Sequence, residues 1–298
     1  MLLPPAGLNQ EELVDVLVEQ YGADPGPLEF MPLGADSWCY RSGDLWVSVR
    51  RDLRGHSPAP YEAARRLRAK GLDFVLAPIA GADGRVSRTV GGRPVVVFPY
   101  LPVSEVPASL PPLELWGVND MVASVHTATV DVDLPAETYT LPFGDDLDWA
   151  LGVARSGPPD TGPYSLPFHT LLRAAADRVE ALRAEFADLA GRCAAAGRPP
   201  VLTHGEPGAG NVLRHGASLL LADWGELMYG PPERDFYHLV RSFGATPRGR
   251  RHFLRFYEIR WLFNELTEYA AWFFAPHTGD AQDRDAWAQA RRCLPARP

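Results

Sequence analysis

The chain has 298 residues, 29 basic against 37 acidic side chains and a formal charge of -8, a balance that argues against a nucleic-acid binder, which needs a basic face. Its 46% hydrophobic and 22% charged content is that of a globular protein long enough for one large domain or two lobes with a shared cleft. Cys39, Cys193 and Cys293 have neither disulfide nor metal spacing, no apolar run reaches membrane-spanning length, and no leader pattern opens the chain. A cytoplasmic protein acting on a cationic or neutral partner, away from membranes, is therefore expected.

In chain order, Asn9 followed by Glu11-Glu12 reads as a helix start, with Leu13, Val16 and Leu17 on one face and an end near Tyr21-Gly22. Residues 30–50 read as a β-hairpin region, with turn candidates at Gly34-Ala35-Asp36-Ser37 and Gly43-Asp44. By strand alternation Ser48 and Arg50 share a face. Residues 58–70 read as a helix, carrying Glu62 and ending at Lys70, the only lysine. Residues 74–79 and 93–100 read as strands with a tight turn at Gly91-Gly92, and the apolar run Val95–Phe98 marks the second as buried.

A proline-rich connection, 107–112, leads to a helix over 113–129 that ends near His126, read as a packing histidine. Residues 130–167 look irregular, and the acids Asp145, Asp146 and Asp148 read as a solvated loop with a helix start. A helix is expected over 169–196, where Leu172, Ala175, Val179 and Phe186 recur at helical spacing. Short and long helices are expected over 236–243 and 248–274. The longer one sets Glu258, Glu265 and Glu268 beside Trp261, Tyr269 and Trp272, either a packing stripe with a solvated side or a wall for an amine-bearing ligand. A last short helix is expected after residue 281.

The chain is organised around residues 201–235. Val201-Leu202 leads into His204-Gly205-Glu206, Asn211 follows five residues after Glu206, and Leu219-Leu220-Leu221 delivers Asp223. Phosphoryl transfer from a nucleotide needs this layout: one carboxylate to hold the acceptor hydroxyl, and an amide oxygen with a second carboxylate to hold magnesium against the phosphates.

The run HGE-P-x-x-G-N followed by L-x-D-W resembles the aminoglycoside phosphotransferase family, a branch of the protein-kinase-like fold. The family usually carries H-G-D-x-x-x-x-N, then I-D-W or I-D-F, and its D-P-x-x-D-L segment is echoed by Gly230–Phe236. The resemblance implies an α+β, bilobal fold: a small lobe with an antiparallel sheet over residues 1–101 that binds nucleotide, and a larger, mainly helical lobe over 102–298 for catalysis and substrate. It implies ATP or GTP as donor, Mg2+, and a small-molecule hydroxyl acceptor such as an aminoglycoside or nucleoside antibiotic, with antibiotic resistance as the outcome.

Residue by residue, the resemblance assigns Glu206 to the acceptor hydroxyl, Asn211 and Asp223 to the metal, and His204 and Asp235 to holding the loop. Ser37 closes the turn over the nucleotide, Ser48 stands in the strand slot where the family has a lysine, and Glu62 matches the helix glutamate that pairs with that lysine. Phe98 and Tyr100 flank the hinge that holds the adenine. The run WVSVRR has no lysine, so Arg50 is either a substitute cation, with Glu62 as its partner, or a surface residue. Glu206 stands where the family has aspartate. Both departures also suit a nucleotide-binding protein without turnover, and a metabolic small-alcohol kinase would use the same site.

Overall fold

The computed structural model describes residues 8–24, 26–33, 37–51 and 56–294. Of the turn expected at Gly34–Ser37, only Ser37 lies within the described residues. The chain divides into two compact units, Leu2–Glu137 with Pro199–Arg248, and Thr138–Arg198 with Gly249–Pro298.

The first unit opens with α1 (Gln10–Tyr21). Asn9 caps it, accepting the amides of Glu11 and Glu12, and Gly22 ends it in the left-handed conformation. Five strands follow as an antiparallel sheet of order β1-β2-β3-β5-β4: β1 (Glu29–Met31), β2 (Ser37–Ser42), β3 (Leu45–Arg50), β4 (Ser87–Val90) and β5 (Arg93–Pro99). The alternation divides its faces. Tyr40, Val47, Val49, Val95 and Val97 bury one face against Leu13 and Leu17 of α1. The opposite face carries Ser37, Cys39, Ser48, Arg50, Val96 and Phe98, through the pairs Ser37–Arg50, Cys39–Ser48 and Ser48–Val96. Tyr61, from α2 (Ala59–Ala69), packs on that face with Val86, Val96 and Phe98.

One expected strand is corrected. Residues 74–79 make no ladder. Val75 forms a single parallel bridge to Leu221, the amide of Leu76 goes to the Leu221 carbonyl, and Pro78 interrupts any continuation. The hairpin partner of β5 is instead β4, across Gly91-Gly92, both with positive φ. The bridge at Val75 has its own use, since it fastens this segment beside the strand that ends at Asp223.

The rest of the unit comprises β6 (Ser104–Glu105), α3 (Pro112–Thr127), β7 (Val201–Thr203), β8 (Val212–His215), β9 (Ser218–Leu221), β10 (Met228–Gly230) and α6 (Glu233–Phe243), numbered after the helices α4 and α5 of the other unit. A hydrophobic cluster joins α2 (Ala63, Ala64, Leu67), α3 (Val118, Val122, Val125), the strands (Leu202, Val212, Leu221), Trp224 and α6 (Leu239, Phe243). This packing seats the 201–235 segment.

In the second unit, α4 (Gly144–Ser156) replaces part of the irregular stretch expected over 130–167, with Leu147, Ala150, Leu151 and Ala154 buried at helical spacing and Asp145 and Asp146 in its first turn. It packs with α5 (Ser165–Ala195) and α7 (Arg251–Phe273), and α8 (Ala281–Cys293) packs on both of these. The acids of α7 are largely engaged within this unit: Glu258 pairs with Arg255, and Glu265 accepts the Tyr269 hydroxyl. Among the described residues no helix is long and apolar enough to cross a membrane.

Leu17 is 1% exposed between α1 and the sheet. Leu17→Ala should cost about 2–5 kcal/mol in urea unfolding, and a loss below about 1 kcal/mol would mean that α1 is not a structural part of the unit.

Candidate active site

The β8–β9 hairpin brings the two proposed metal ligands together. Val212 pairs with Leu221, and one step beyond the ladder the Ala222 amide donates to the Asn211 carbonyl at 2.8 Å. Asn211 and Asp223 therefore stand at adjoining strand ends, although twelve residues separate them in the chain. The Asn211 side-chain amide donates to the Glu206 carbonyl at 2.9 Å, which spends its nitrogen and leaves its oxygen for a cation. Asp223 has φ 60°; among described residues other than glycine, only Tyr139 shares a positive φ. A non-glycine residue held there costs some free energy, less for aspartate than for larger side chains, and such positions cluster at functional sites. Glu206 and Asp223 are both exposed, so neither carboxylate carries a heavy desolvation cost.

No group of three or more His, Cys, Asp or Glu side chains able to hold a metal occurs among the described residues. The donor set is instead one amide oxygen and one carboxylate. These hard oxygens suit magnesium, which takes few protein ligands and completes its shell with phosphate oxygens and water.

The loop bearing Glu206 is tied from beneath. Asp235, fully buried at the start of α6, accepts the amides of His204 at 3.0 Å and Gly205 at 2.7 Å, and the Nε2–H of His126 at 2.8 Å. Burial alone would raise its pKa, but the His126 hydrogen bond and charge, with His204 and Arg234, hold it down to about 2. His204 links the loop to the metal strand. Its Nε2–H donates to the Ala222 carbonyl at 2.9 Å, and its Nδ1 accepts the Glu206 amide at 3.2 Å. Burial keeps this imidazole neutral by lowering its pKa, against the charges of Asp235 and Asp223. The packing reading of His126 and the loop-holding readings of His204 and Asp235 agree with this geometry. Gly205 has φ +108°, and a Cβ there would lie 2.5 Å from the Arg234 guanidinium, so both the backbone and the space require glycine.

The nucleotide-side candidates divide. Ser37, Ser48, Arg50 and Phe98 share the sheet face opposite α1. That face senses Asp223, whose charge adds to the burial that pushes the neighbouring Cys39 thiol up to about 12. Tyr61 approaches the same region: a Cβ on Gly225 would lie 3.0 Å from its hydroxyl and 3.7 Å from Asp223 Oδ1. The pairing entertained between Glu62 and Arg50 is not formed. Glu62 Oε1 is held at 2.9 Å by Arg65 and 3.0 Å by Arg66, because residues three and four apart on one helix face each other. Arg50 Nε is buried and has no hydrogen-bond partner among the described residues. Lys70 donates to the Thr129 carbonyl at 2.5 Å, so the only lysine is committed at the end of α2. Tyr100 gives its amide to the Asp44 carbonyl at 2.7 Å, and its ring lies under Arg41 and beside Trp46. Its N–H is therefore not open to a base.

Three neighbours escaped the sequence reading. Arg234 is buried beneath Gly205 and donates to Thr203, Ser242 lies against Gly208, and His238 faces Glu206. A helix starting at Glu233 puts 235, 238 and 242 on one side, a periodicity visible once the helix start is known.

This electrostatic arrangement gives stability a defined pH dependence. His238 is also held neutral, its pKa lowered to about 3 chiefly by burial. Below about pH 6.5 the unfolded chain protonates the His238 imidazole while the folded unit does not until about pH 3, so stability should fall by up to about 1.4 kcal/mol per pH unit. The Asp235 contribution is present above about pH 4 and is lost as pH drops toward 2. Urea unfolding at pH 7.5, 6.5, 5.5 and 4.5 checks this. His238→Phe should flatten the slope by about one proton, and an unchanged slope would contradict the buried neutral imidazole.

The model of the phosphotransferase enzyme family, APH, matches residues 47–273. Protein StrN of Streptomyces griseus is 44% identical over 283 residues, covering 91% of this chain and 87% of that protein. Spectinomycin phosphotransferase APH(9)-Ia, solved with ADP and spectinomycin, superposes with a TM-score of 0.69 at 15% identity, covering 98% of this chain and 94% of that one. Amicoumacin kinase hAmiN, solved with AMP-PNP, Ca2+ and amicoumacin, gives a TM-score of 0.58 at 13% identity, covering 97% and 93%. At these identities the structural matches establish the kinase-like α+β fold, and the match of the family model over most of the chain does the rest: this chain belongs to the phosphotransferase enzyme family.

Proposed function

We propose that this phosphotransferase moves the γ-phosphoryl group of ATP or GTP to a hydroxyl of an aminoglycoside- or nucleoside-type antibiotic, acting in the cytoplasm as a resistance enzyme. Residues 1–101 then form the nucleotide lobe and 102–298 the catalytic and acceptor lobe. The observation that carries the reading is the hairpin register that sets Asn211 beside Asp223, with Glu206 exposed on the same tied loop. The antibiotics bound by the spectinomycin and amicoumacin enzymes support the acceptor class.

In this reading Glu206 accepts the hydrogen bond of the acceptor hydroxyl and takes its proton as the new O–P bond forms. The bond from the γ-phosphorus to its bridging oxygen breaks, and the nucleoside diphosphate leaves. Asn211 and Asp223 would hold the magnesium, which would offset the charge on the phosphates when bound. Alignment matters more than proton abstraction in a loose transition state, so a glutamate serves where relatives have aspartate. Arg50, with its buried, unsatisfied Nε on the nucleotide face, supplies a phosphate-binding cation in place of the lysine that the strand lacks. Ser37, Ser48 and Phe98 line that face, and Glu62 contributes through Arg65 and Arg66 rather than directly. Backbone groups beside Tyr100, rather than its own amide, hold the base.

The missing lysine and the self-contained Glu62 favour one competing reading, nucleotide binding without transfer. Incubation with magnesium ATP or GTP and a panel of aminoglycosides, aminocyclitols, nucleoside antibiotics and simple amino alcohols separates them. A mass gain of one phosphate on an antibiotic is expected. Gain only on an amino alcohol would make this a metabolic kinase, and nucleotide binding with no product would make it a binding protein.

Asp223→Asn and Glu206→Gln should each lower kcat by about 100-fold or more, Glu206→Gln with nucleotide affinity retained. Full activity in either would remove that residue from the chemistry. Arg50→Ala should raise the nucleotide KM with a smaller effect on kcat; an unchanged KM would return Arg50 to a structural role.

A further inference from the structure

Helix α6 turns Asp235, His238 and Ser242 toward the catalytic loop, at spacings of three and four residues. Asp235 takes the amides of His204 and Gly205, and Ser242 Oγ lies 2.7 Å from where a Cβ on Gly208 would sit. Between them His238 lies under Glu206. Its side chain is 10% exposed, and its Nδ1 is 3.9 Å from Glu206 Oε1, on a carboxylate that is itself 53% exposed. Nδ1 is buried and has no hydrogen-bond partner among the described residues. Buried polar atoms in native proteins are nearly always satisfied, so an orphan aimed at a functional group marks a contact completed in the working state.

We propose that His238 is a positioning residue for Glu206: its Nδ1–H holds Oε1, so that Oε2 faces the acceptor hydroxyl. The proposal rests on the assignment of Glu206 to the acceptor and adds the group that fixes it. A glutamate has one more rotatable bond than an aspartate, so a contact that restricts it improves alignment of the acceptor hydroxyl. Contacts at catalytic groups are commonly long before substrate binds and shorten afterwards, and a modest rotation of Glu206 closes 3.9 Å to hydrogen-bond distance.

The surroundings keep the contact neutral. Burial dominates, and Arg234, Arg241 and His204 add to it against the opposing charge of Asp235, so the imidazole carries no proton charge at neutral pH. A neutral donor orients Glu206 without neutralising it. A charged imidazole would form a full ion pair and weaken the carboxylate as a base.

The test combines His238 variants with Glu206→Asp, assayed with the magnesium nucleotide and the acceptor that the antibiotic panel returns. His238→Asn keeps a donor near Nδ1, His238→Gln moves it to the Nε2 position, and His238→Phe removes it. The expected result is a kcat lower by about tenfold or more in the Phe and Gln variants, with nucleotide KM and thermal midpoint near wild type and kcat largely retained in the Asn variant. In the Glu206→Asp background, whose shorter side chain cannot reach the imidazole, His238→Phe should add little. Equal loss in the Asn and Phe variants, or full kcat in the Phe variant, overturns the proposal. If Glu206→Gln is itself fully active, the assignment of Glu206 fails instead. Nitrogen-15 NMR of the imidazole, on the protein alone, gives a second readout. A proton on Nδ1 whose signal moves in Glu206→Asp is expected, and a proton found only on Nε2 overturns the proposal.

Discussion

The buried carboxylate of Asp235 is the interaction on which the site depends. It takes two consecutive backbone amides, at His204 and Gly205, and the imidazole of His126. Each is a donor that would be costly to leave unmet in the interior, and a carboxylate has the lone pairs to satisfy all three. The loop is thus fastened by its backbone. Glu206 projects outward because the two residues before it are pinned inward.

His204 extends that tie to the strand that ends before Asp223. One ring nitrogen serves the Ala222 carbonyl and the other the Glu206 amide, so a single neutral imidazole sets the spacing between Glu206 and the strand end at Asp223. Neutrality matters in this setting. Beneath this loop uncompensated buried charge would be costly, and the fold combines the buried Asp235 carboxylate with imidazoles kept neutral by burial. The arginine that is buried there, Arg234, fills the space that Gly205 leaves vacant.

The sheet makes a similar economy. Its α1 face is mostly apolar, with Tyr40, Val47, Val49, Val95 and Val97 buried, while the opposite face mixes Ser37, Cys39, Ser48 and Arg50 with Val96 and Phe98. A strand buried on one face needs only that face to be apolar, which leaves the other to carry polar groups toward Asp223. The cation available there is an arginine with an unsatisfied nitrogen, and the only lysine is spent on the Thr129 carbonyl.

Much of this was legible along the chain. The spacing of His204, Glu206, Asn211 and Asp223 depends on one loop and one hairpin, so local sequence carries it, and the caps at Asn9 and Gly22 follow from short-range hydrogen bonding. The start of helix α4 was legible in its acids, but its length was not, because its four buried residues lie in a stretch dense with Asp, Pro and Gly. The supposed strand over 74–79 failed because a strand needs partners along its length, and packing offered a single bridge, at Leu221. Glu62 could not be assigned a partner beforehand, since its own helix competes with the sheet for it. Sequence alone therefore determined the local layout of the loop and hairpin. Only tertiary structure decided that α6 lies beneath that loop and brings His238 to Glu206 across thirty-two residues of chain, because contacts between distant segments depend on how whole elements pack rather than on the residues beside them.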